Sequence, residues 1–250
     1  MADRIAIVTG TSSGIGAAVA GQLLERGWDV VGLARRGSVL RHDRFRQVSV
    51  DLSNVEQAAR TIEQDVAPML DGEAWRRVGL VNNAASAGDP RPMEQLPPRS
   101  LVEIYAVNAV MPTWLMGFVL RHTRAEATLR VVNVSTGAAV HAFPGLGAYG
   151  GSKAALRMDG MIFGAEVGSS ERHTPVPADA GVLSYEPGVV DTEMQTAARS
   201  HSPKDFPWVG TFKEFKRSGM LVRANVPAAD IVQFLETDRV PHFSERRLGG

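Results

Sequence analysis

The chain has no cysteine, which excludes disulfides, thiolate nucleophiles and cysteine-ligated metals. It has no excess of either charge. Its 27 basic side chains stand against 27 acidic ones, so there is no broad basic surface of the kind that attracts nucleic acids or acidic membranes. The six histidines, at 42, 122, 141, 173, 201 and 242, include no pair at i, i+3 or i+4. A zinc site has no local support, no metal is expected, and each histidine reads as a surface or loop residue. The opening MADRIAIVTG lacks the basic stretch and long apolar run of a signal peptide. The longest apolar run, Ile104 to Leu120, contains Asn108 and Pro112 and is bounded by Glu103 and Arg121. It reads as a buried core helix, since a membrane span needs about 20 apolar residues. The expectation is a cytoplasmic, soluble protein with neither nucleic acid nor membrane as partner.

What is present is an ordinary globular composition: 250 residues, 44% hydrophobic and 22% charged, enough to bury a sizeable core. Short β-branched runs occur at Ile5 to Val8, Val30 to Leu33, Val48 to Val50, Val78 to Val81, Val131 to Val134 and Val182 to Tyr185. Between them, helices are predicted over Ile15 to Arg26, Val55 to Ala67, Leu101 to Arg121, Tyr149 to Val167 and Ala228 to Leu235, with Pro97, Pro98 and Pro227 in helix-start positions. Apolar runs separated by helix-length segments imply βαβ units. The fold class is therefore α/β, a doubly wound parallel sheet with helices on both faces. No linker, repeat or low-complexity tract interrupts the alternation, so residues 1–250 read as one domain. The least regular stretches are 168–181 and 192–226.

Thr9-Gly10-Thr11-Ser12-Ser13-Gly14-Ile15-Gly16 follows the first run and opens the first helix. Glycines there let the backbone turn tightly and approach a pyrophosphate, while the helix N-terminus offers unpaired N–H groups to the negative charge. A strand-to-helix turn alone could use such glycines, but the place directly after the first strand points to a dinucleotide site at Gly10, Ser12, Ser13, Gly14, Ile15 and Gly16. The loop is not a P-loop, because no Gly-Lys-Ser/Thr ends it. The second run ends in Ala34-Arg35-Arg36, about 20 residues past the last glycine, where an acidic residue would hold the 2′-hydroxyl of NAD. Two arginines instead suit the 2′-phosphate of NADP, so NADP(H) is expected over NAD(H). The plain alternative is that they solvate a loop, arginine being 23 of the 27 basic residues.

Tyr149-Gly150-Gly151-Ser152-Lys153 puts a phenol and an ammonium four residues apart, on one face of a helix. With three tyrosines and four lysines in the chain, chance seldom produces that spacing, and a surface pair is the plain alternative. In order, Thr9-Gly10-x-x-x-Gly14-Ile15-Gly16, Asn82-Asn83-Ala84-Ala85, Asn108, Ser135-Thr136, Tyr149-x-x-x-Lys153 and Pro187-Gly188 resemble the short-chain dehydrogenase/reductase superfamily over nearly the whole chain. Pro187 to Gln195, Phe212 to Leu221 and Leu235-Glu236 are similar to its sepiapterin reductases and bacterial benzil-type diketone reductases.

The resemblance implies a single Rossmann-type NAD(P)-binding domain and reduction of a ketone or diketone on a small, partly apolar molecule. Tyr149 would donate a proton to the carbonyl oxygen as hydride arrives from the nicotinamide. A free phenol titrates near pH about 10, so Lys153 and the oxidised nicotinamide would supply positive charge favouring the phenolate. By the same resemblance, Lys153 binds nicotinamide-ribose hydroxyls, and Asn108 holds a water and a helix kink that complete a proton relay. Asp51 and Leu52 would contact the adenine, Asn83, Ala84 and Ala85 the ribose side, and Val190 and Thr192, after Pro187-Gly188, the carboxamide. Without the family, Asp51 reads equally well as a helix cap for Ser53 onward.

Three departures from the family pattern stand out. The substrate-orienting serine, 13 positions before the tyrosine, is Thr136 here, with Ser135 the alternative donor if the loop shifts by one residue. Asn-Asn-Ala-Gly reads Asn82-Asn83-Ala84-Ala85, adding a methyl beside the cofactor path. The aspartate that anchors the pterin in sepiapterin reductases has no match in residues 240–250, so pterin specificity is unsupported. On the substrate side, 192–226 carries Phe206, Trp208, Phe212 and Phe215, which could form a lid over a hydrophobic carbonyl compound or a helix pair packing its own core. Lys213, Lys216 and Arg217 read as a solvated face. Gly160 and Gly164 could allow close helix approach in the homodimer or homotetramer that the superfamily suggests, or serve local packing. The same scaffold also carries alcohol dehydrogenases, acyl-ketone reductases and non-catalytic NADP sensors.

Overall fold

The computed structural model describes residues 3–171, 175–204 and 206–249, so His173 lies outside the described residues. Strand β1 (Arg4–Thr9) alternates its side chains between two cores: Ile5 and Ile7 enter one, Ala6 and Val8 the other. Strands β2 (Asp29–Ala34), β4 (Arg77–Asn82), β5 (Thr128–Val134) and β6 (Asp179–Glu186) are likewise buried nearly throughout, the signature of parallel strands covered on both faces. With β3 (Phe45–Ser49) and β7 (Phe243–Arg247) they form one seven-stranded sheet in the order β3-β2-β1-β4-β5-β6-β7, parallel at every pairing. The order reverses between β1 and β4. The C-terminal ends of these two strands therefore bound the crevice where doubly wound sheets take ligands.

Helix α1 (Gly14–Glu25) and, much later in the chain, α9 (Asn225–Glu236) cover one face, closing over Trp28, Val132, Leu183 and Tyr185. The other face is covered by α2 (Val55–Asp65), α3 (Ala67–Asp71), α5 (Met111–Arg121) and α6 (Gly147–Val167). Helix α4 (Pro98–Tyr105) runs into α5 through a π turn at Ala106–Val110, giving one helix of 24 residues, Pro98–Arg121. By length and composition that helix could cross a membrane, but Met111, Leu115, Phe118 and Val119 are fully buried against the sheet.

The structure departs from the sequence reading in particular places. Strand β7, FSERR, was not expected: it is an edge strand with a mostly exposed, charged face, so it carries no apolar run. The helix expected over Val55 to Ala67 ends at Asp65, and α3 starts anew around Pro68, whose ring cannot continue an α-helix. Segment 192–226 holds α7 (Glu193–Ser200) and α8 (Val209–Arg217). His122 is no plain surface residue, since its ring packs on Phe118 and its Nδ1 lies 2.9 Å from Asp71. Gly160 and Gly164 serve local packing: a Cβ at Gly164 would stand 2.8 Å from the His242 carbonyl oxygen and from Phe243 Cβ, so the pair seats α6 against β7.

At the N-terminal end of the sheet Arg130 is completely buried. Its Nη2 meets Asp179 Oδ1 at 2.6 Å, Nη1 donates to the carbonyls of Leu129 (3.0 Å) and Asp179 (2.7 Å), and Nε donates to the Thr237 carbonyl at 2.9 Å. This network binds β5 and β6 to the end of α9, and Arg77 paired with Asp238 extends it to β4.

Candidate active site

The crevice is built first from backbone. Gly10 has φ of 78°, and a Cβ there would stand 2.8 Å from Asn83 Nδ2; at Gly16 it would stand 2.4 Å from the Gly10 carbonyl oxygen. Any side chain at either position would collapse the turn. Thr9 fastens this turn to β4: its Oγ1 accepts from the N–H groups of Asn83 and Ala84, both at 2.9 Å, while Asn83 Nδ2 donates to the Thr9 carbonyl at 2.9 Å. Ser13 precedes α1 in extended conformation, makes no side-chain capping bond, and no acidic residue occupies the first turn. An uncapped helix N-terminus beside a glycine cradle fits the phosphates of a dinucleotide.

Around this cradle the expected nucleotide residues divide by what they can offer. Ile15, Leu52 and Val190 have their side chains in the two cores, which leaves their main chain for the crevice. Thr192 caps α7, and its Cγ2 lies 3.3 Å from where a Gly14 Cβ would be, so α7 begins opposite the glycine loop. Between them opens a cleft of about 590 Å³, lined by Ser13, Gly14, Asp191 to Glu193, Thr196, Ala197 and Ser200. Pro187 is buried and Gly188 turns with φ of 70°, carrying the chain out of β6 toward this cleft. Arg35 and Arg36 are exposed at the end of β2. Asp51 is not the cap of α2, a role taken by Asn54 through its bond from the Gln57 N–H. Asp51 instead accepts from Ser53 N at 3.0 Å and Ser53 Oγ at 2.8 Å, bonds that hold its carboxyl below the usual range with a smaller contribution from Arg35.

The second half of the site hangs on α6. Tyr149 and Lys153 lie on adjacent turns of one face, as their spacing requires. Burial pushes the Tyr149 phenol up to about 12, against a hydrogen bond from Thr136 that pulls the other way. Thr136 Oγ1 also accepts from the Ala138 N–H at 3.3 Å, which sets the hydroxyl's position at the end of β5. Lys153 is 2% exposed; burial pulls its ammonium down to about 8, and Nζ donates to the Val134 carbonyl at 2.8 Å. The lysine ammonium thus lies against the end of β5.

Asn108 sits in the π turn, where the hydrogen-bonding of the helix widens, and is fully buried. Its amide bonds both main-chain groups of Ser86, each at 2.8 Å, and donates to Ser152 Oγ at 3.0 Å. Ser152 Oγ in turn donates to the Tyr149 carbonyl at 2.8 Å. Ser152 escaped the sequence reading because a Tyr-x-x-x-Lys spacing says nothing about the residues between, and Ser86 because it takes part through its main chain alone. Ser135 and Thr136 both border a smaller cavity of about 270 Å³ with Arg157, Ser184 and Glu186, and of the two it is the Thr136 hydroxyl that acts on the Tyr149 phenol. The aromatics of 192–226 pack among themselves and against the loop before α6. Phe206, Phe212 and Phe215 pack on one another, with centroids 5.2 and 5.9 Å apart, while Trp208 meets Phe143 edge-on at 5.1 Å, in the loop between Thr136 and Tyr149.

Comparison with known proteins agrees with this geometry. Residues 4–203 match the family model described as short chain dehydrogenase. The chain is 34% identical over 234 residues to a benzil reductase ((S)-benzoin forming) of Bacillus subtilis, covering 92% of each chain. It is 31% identical over 252 residues to a sepiapterin reductase of Mus musculus, covering 94% of this chain and 92% of that one. Among solved structures, a short chain dehydrogenase/reductase of Saccharomyces cerevisiae superposes with a TM-score of 0.83 at 25% identity, over 99% of this chain and 96% of that one.

Proposed function

The chain belongs to the short-chain dehydrogenase family, a family of nicotinamide-dependent oxidoreductases, and from this we propose that it is a cytoplasmic NADPH-dependent reductase of a ketone or diketone carbonyl on a small, partly apolar molecule. The observation that carries the reading is the buried Lys153 one turn from Tyr149 on α6, with its Nζ on the Val134 carbonyl at the end of β5 and the Thr136 hydroxyl near enough to act on the phenol. When bound, the reduced nicotinamide supplies the hydride. The residues of the chain supply the rest. The glycine cradle and the N-terminus of α1 hold the phosphates, and Thr192 with the main chain at Val190 borders the nicotinamide end. Tyr149 and Thr136 present two hydroxyls to one carbonyl oxygen. Tyr149 carries its proton at neutral pH, as a donor must, and gives it to that oxygen. Lys153 steadies the phenolate left behind, and Asn108 fixes the turn of α6 that carries both groups through Ser152. Phe143 and Trp208 join segment 192–226 to the catalytic loop, which supports its reading as a lid over an apolar substrate. Consumption of NADPH in the presence of benzil and a panel of other carbonyl compounds tests the reading; tight NADPH binding without turnover on any of them would overturn it.

The preference for NADPH rests on Arg35 and Arg36 and on the lack of a carboxylate at the end of β2. Replacing both arginines by alanine is expected to raise KM for NADPH at least tenfold more than KM for NADH, each charged hydrogen bond to a phosphate contributing about 1.5–3 kcal/mol. Parallel titrations of the two cofactors check this, and equal effects on both would refute it.

We also propose a homodimer. Val110 (46% exposed) in the π turn and Met158 (51%) and Ile162 (50%) on α6 form an apolar outer strip beside the Thr113–Asp159 bond that ties α5 to α6. Met158→Glu would place a charge in that strip and is expected to shift the sedimentation profile from dimer to monomer without changing the circular dichroism spectrum. An unchanged profile removes this face from consideration.

A further inference from the structure

Arg36 is engaged in an ion pair. Its Nη2 stands 2.8 Å from Oε2 of Glu193, a residue 157 positions away. Glu193 opens α7, directly after the Thr192 that faces the glycine loop, and it lines the same cleft as Ser13 and Gly14. The ion pair therefore crosses the mouth of the nucleotide cleft, from the end of β2 to the segment read as a lid. Arg35, for its part, lies close enough to Asp51 to act on its charge. Each of the two arginines expected to meet a phosphate thus faces a carboxylate.

We propose that Glu193 is a specificity-determining residue of the nucleotide site, standing in for the 2′-phosphate on Arg36 until a phosphorylated cofactor displaces it. The inference rests on the reading that Arg36 receives that phosphate. The exchange is favoured because a phosphate brings nearly two charges and three acceptor oxygens to a planar guanidinium, where a carboxylate brings one charge. NAD presents an uncharged hydroxyl at that place and has nothing with which to displace Glu193. Little holds the pair together, since the two side chains are 65% and 67% exposed. Nor does release strand a charge: Glu193 remains in water, in the first turn of α7, where the helix dipole favours an anion. Arg36 then leaves the lid segment and turns to the cofactor, so the presence of the phosphate is passed directly to α7.

Because Glu193 competes for Arg36, removing its charge should favour NADP+ rather than weaken it. The experiment is a cycle of wild type, Glu193→Gln, Arg36→Ala and the double variant, with the dissociation constants of NADP+ and NAD+ measured by calorimetry. The ratio of the two constants is the readout, because the pyrophosphate charge is common to both. Glu193→Gln is expected to raise the preference for NADP+ about two- to fivefold, the range of an exposed ion pair, and to have no effect on the ratio once Arg36 is alanine. If Arg36→Ala lowers the ratio but Glu193→Gln leaves it unchanged, Arg36 is a phosphate ligand and the role given to Glu193 is wrong. If Arg36→Ala leaves the ratio unchanged, the NADP reading itself fails and the proposal with it. Repeating the cycle with 2′,5′-ADP against ADP isolates the phosphate from any nicotinamide contact and must give the same order.

Discussion

Tyr149→Phe is expected to lower kcat for carbonyl reduction by about 10²–10⁴-fold, the usual contribution of a positioned general acid, while the dissociation constant for NADPH stays within about twofold. The asymmetry follows from the site. Phenylalanine keeps the ring on this turn of α6, so the fold and the glycine cradle are untouched, but it removes the proton donor. The neighbouring hydroxyls should then separate in a predictable order. Thr136→Ala removes the hydroxyl that acts on the Tyr149 phenol and is expected to cost about 10–100-fold in kcat/KM, whereas Ser135→Ala, one residue upstream, should cost less than about threefold. Steady-state kinetics with a 1,2-diketone decides both points. Loss of activity in Ser135→Ala with retention in Thr136→Ala would mean that the loop presents its other residue to the substrate.

The largest effect on stability is expected far from this chemistry, at Asp179. Removing its carboxylate in Asp179→Ala leaves Arg130, which has no exposed surface, without its counter-charge, and breaking one partner out of a buried ion pair typically costs about 3–5 kcal/mol. At about 2–4 °C per kcal/mol for a chain of this size, the melting temperature should fall by roughly 6–20 °C. The backbone carbonyls of Leu129, Asp179 and Thr237 still bind the guanidinium, which places the outcome toward the lower end. The same pair sets an acid limit. Asp179 is partly desolvated, but its bonds from Arg130 and from the Arg239 N–H hold its carboxyl below the ordinary value of 3.8. Its contribution is therefore complete above about pH 4 and lost as the pH falls through the depressed value. Melting curves between neutral pH and pH 3 should show the wild type approaching Asp179→Ala at the acid end. A constant gap between the two would show that the aspartate acts by packing rather than by charge.

How far the sequence could be read depended on which physical property carried each element. The central strands announce themselves because burial on both faces leaves no room for polar alternation, and Ile5 to Val8 or Val131 to Val134 have no other plausible fate. Strand β7 has the opposite character. As an edge it is charged for solubility, and its pairing with β6 exists only in three dimensions. In the site, Gly10, Gly14 and Gly16 were legible because backbone constraints select one residue type, and Tyr149 and Lys153 because both types are scarce in this chain. The family resemblance pointed to Asn108, and the structure shows what it holds: a π turn, Ser86 and Ser152. Glu193 was not legible at all. It looks like any acidic first-turn residue, and its significance comes from an arginine 157 residues earlier.

The double attachment of Thr9 and Asn83 between β1 and β4 has a consequence for how a nucleotide enters. One wall of its crevice is preorganised: the turn is already bonded, Gly10 and Gly14 are already in left-handed conformations, and binding there freezes almost no chain motion. The other wall, formed by exposed arginines and the start of α7, has side chains still to be ordered. Affinity for the shared part of the cofactor is therefore entropically inexpensive, and the ordering cost falls on the region that distinguishes one nucleotide from another.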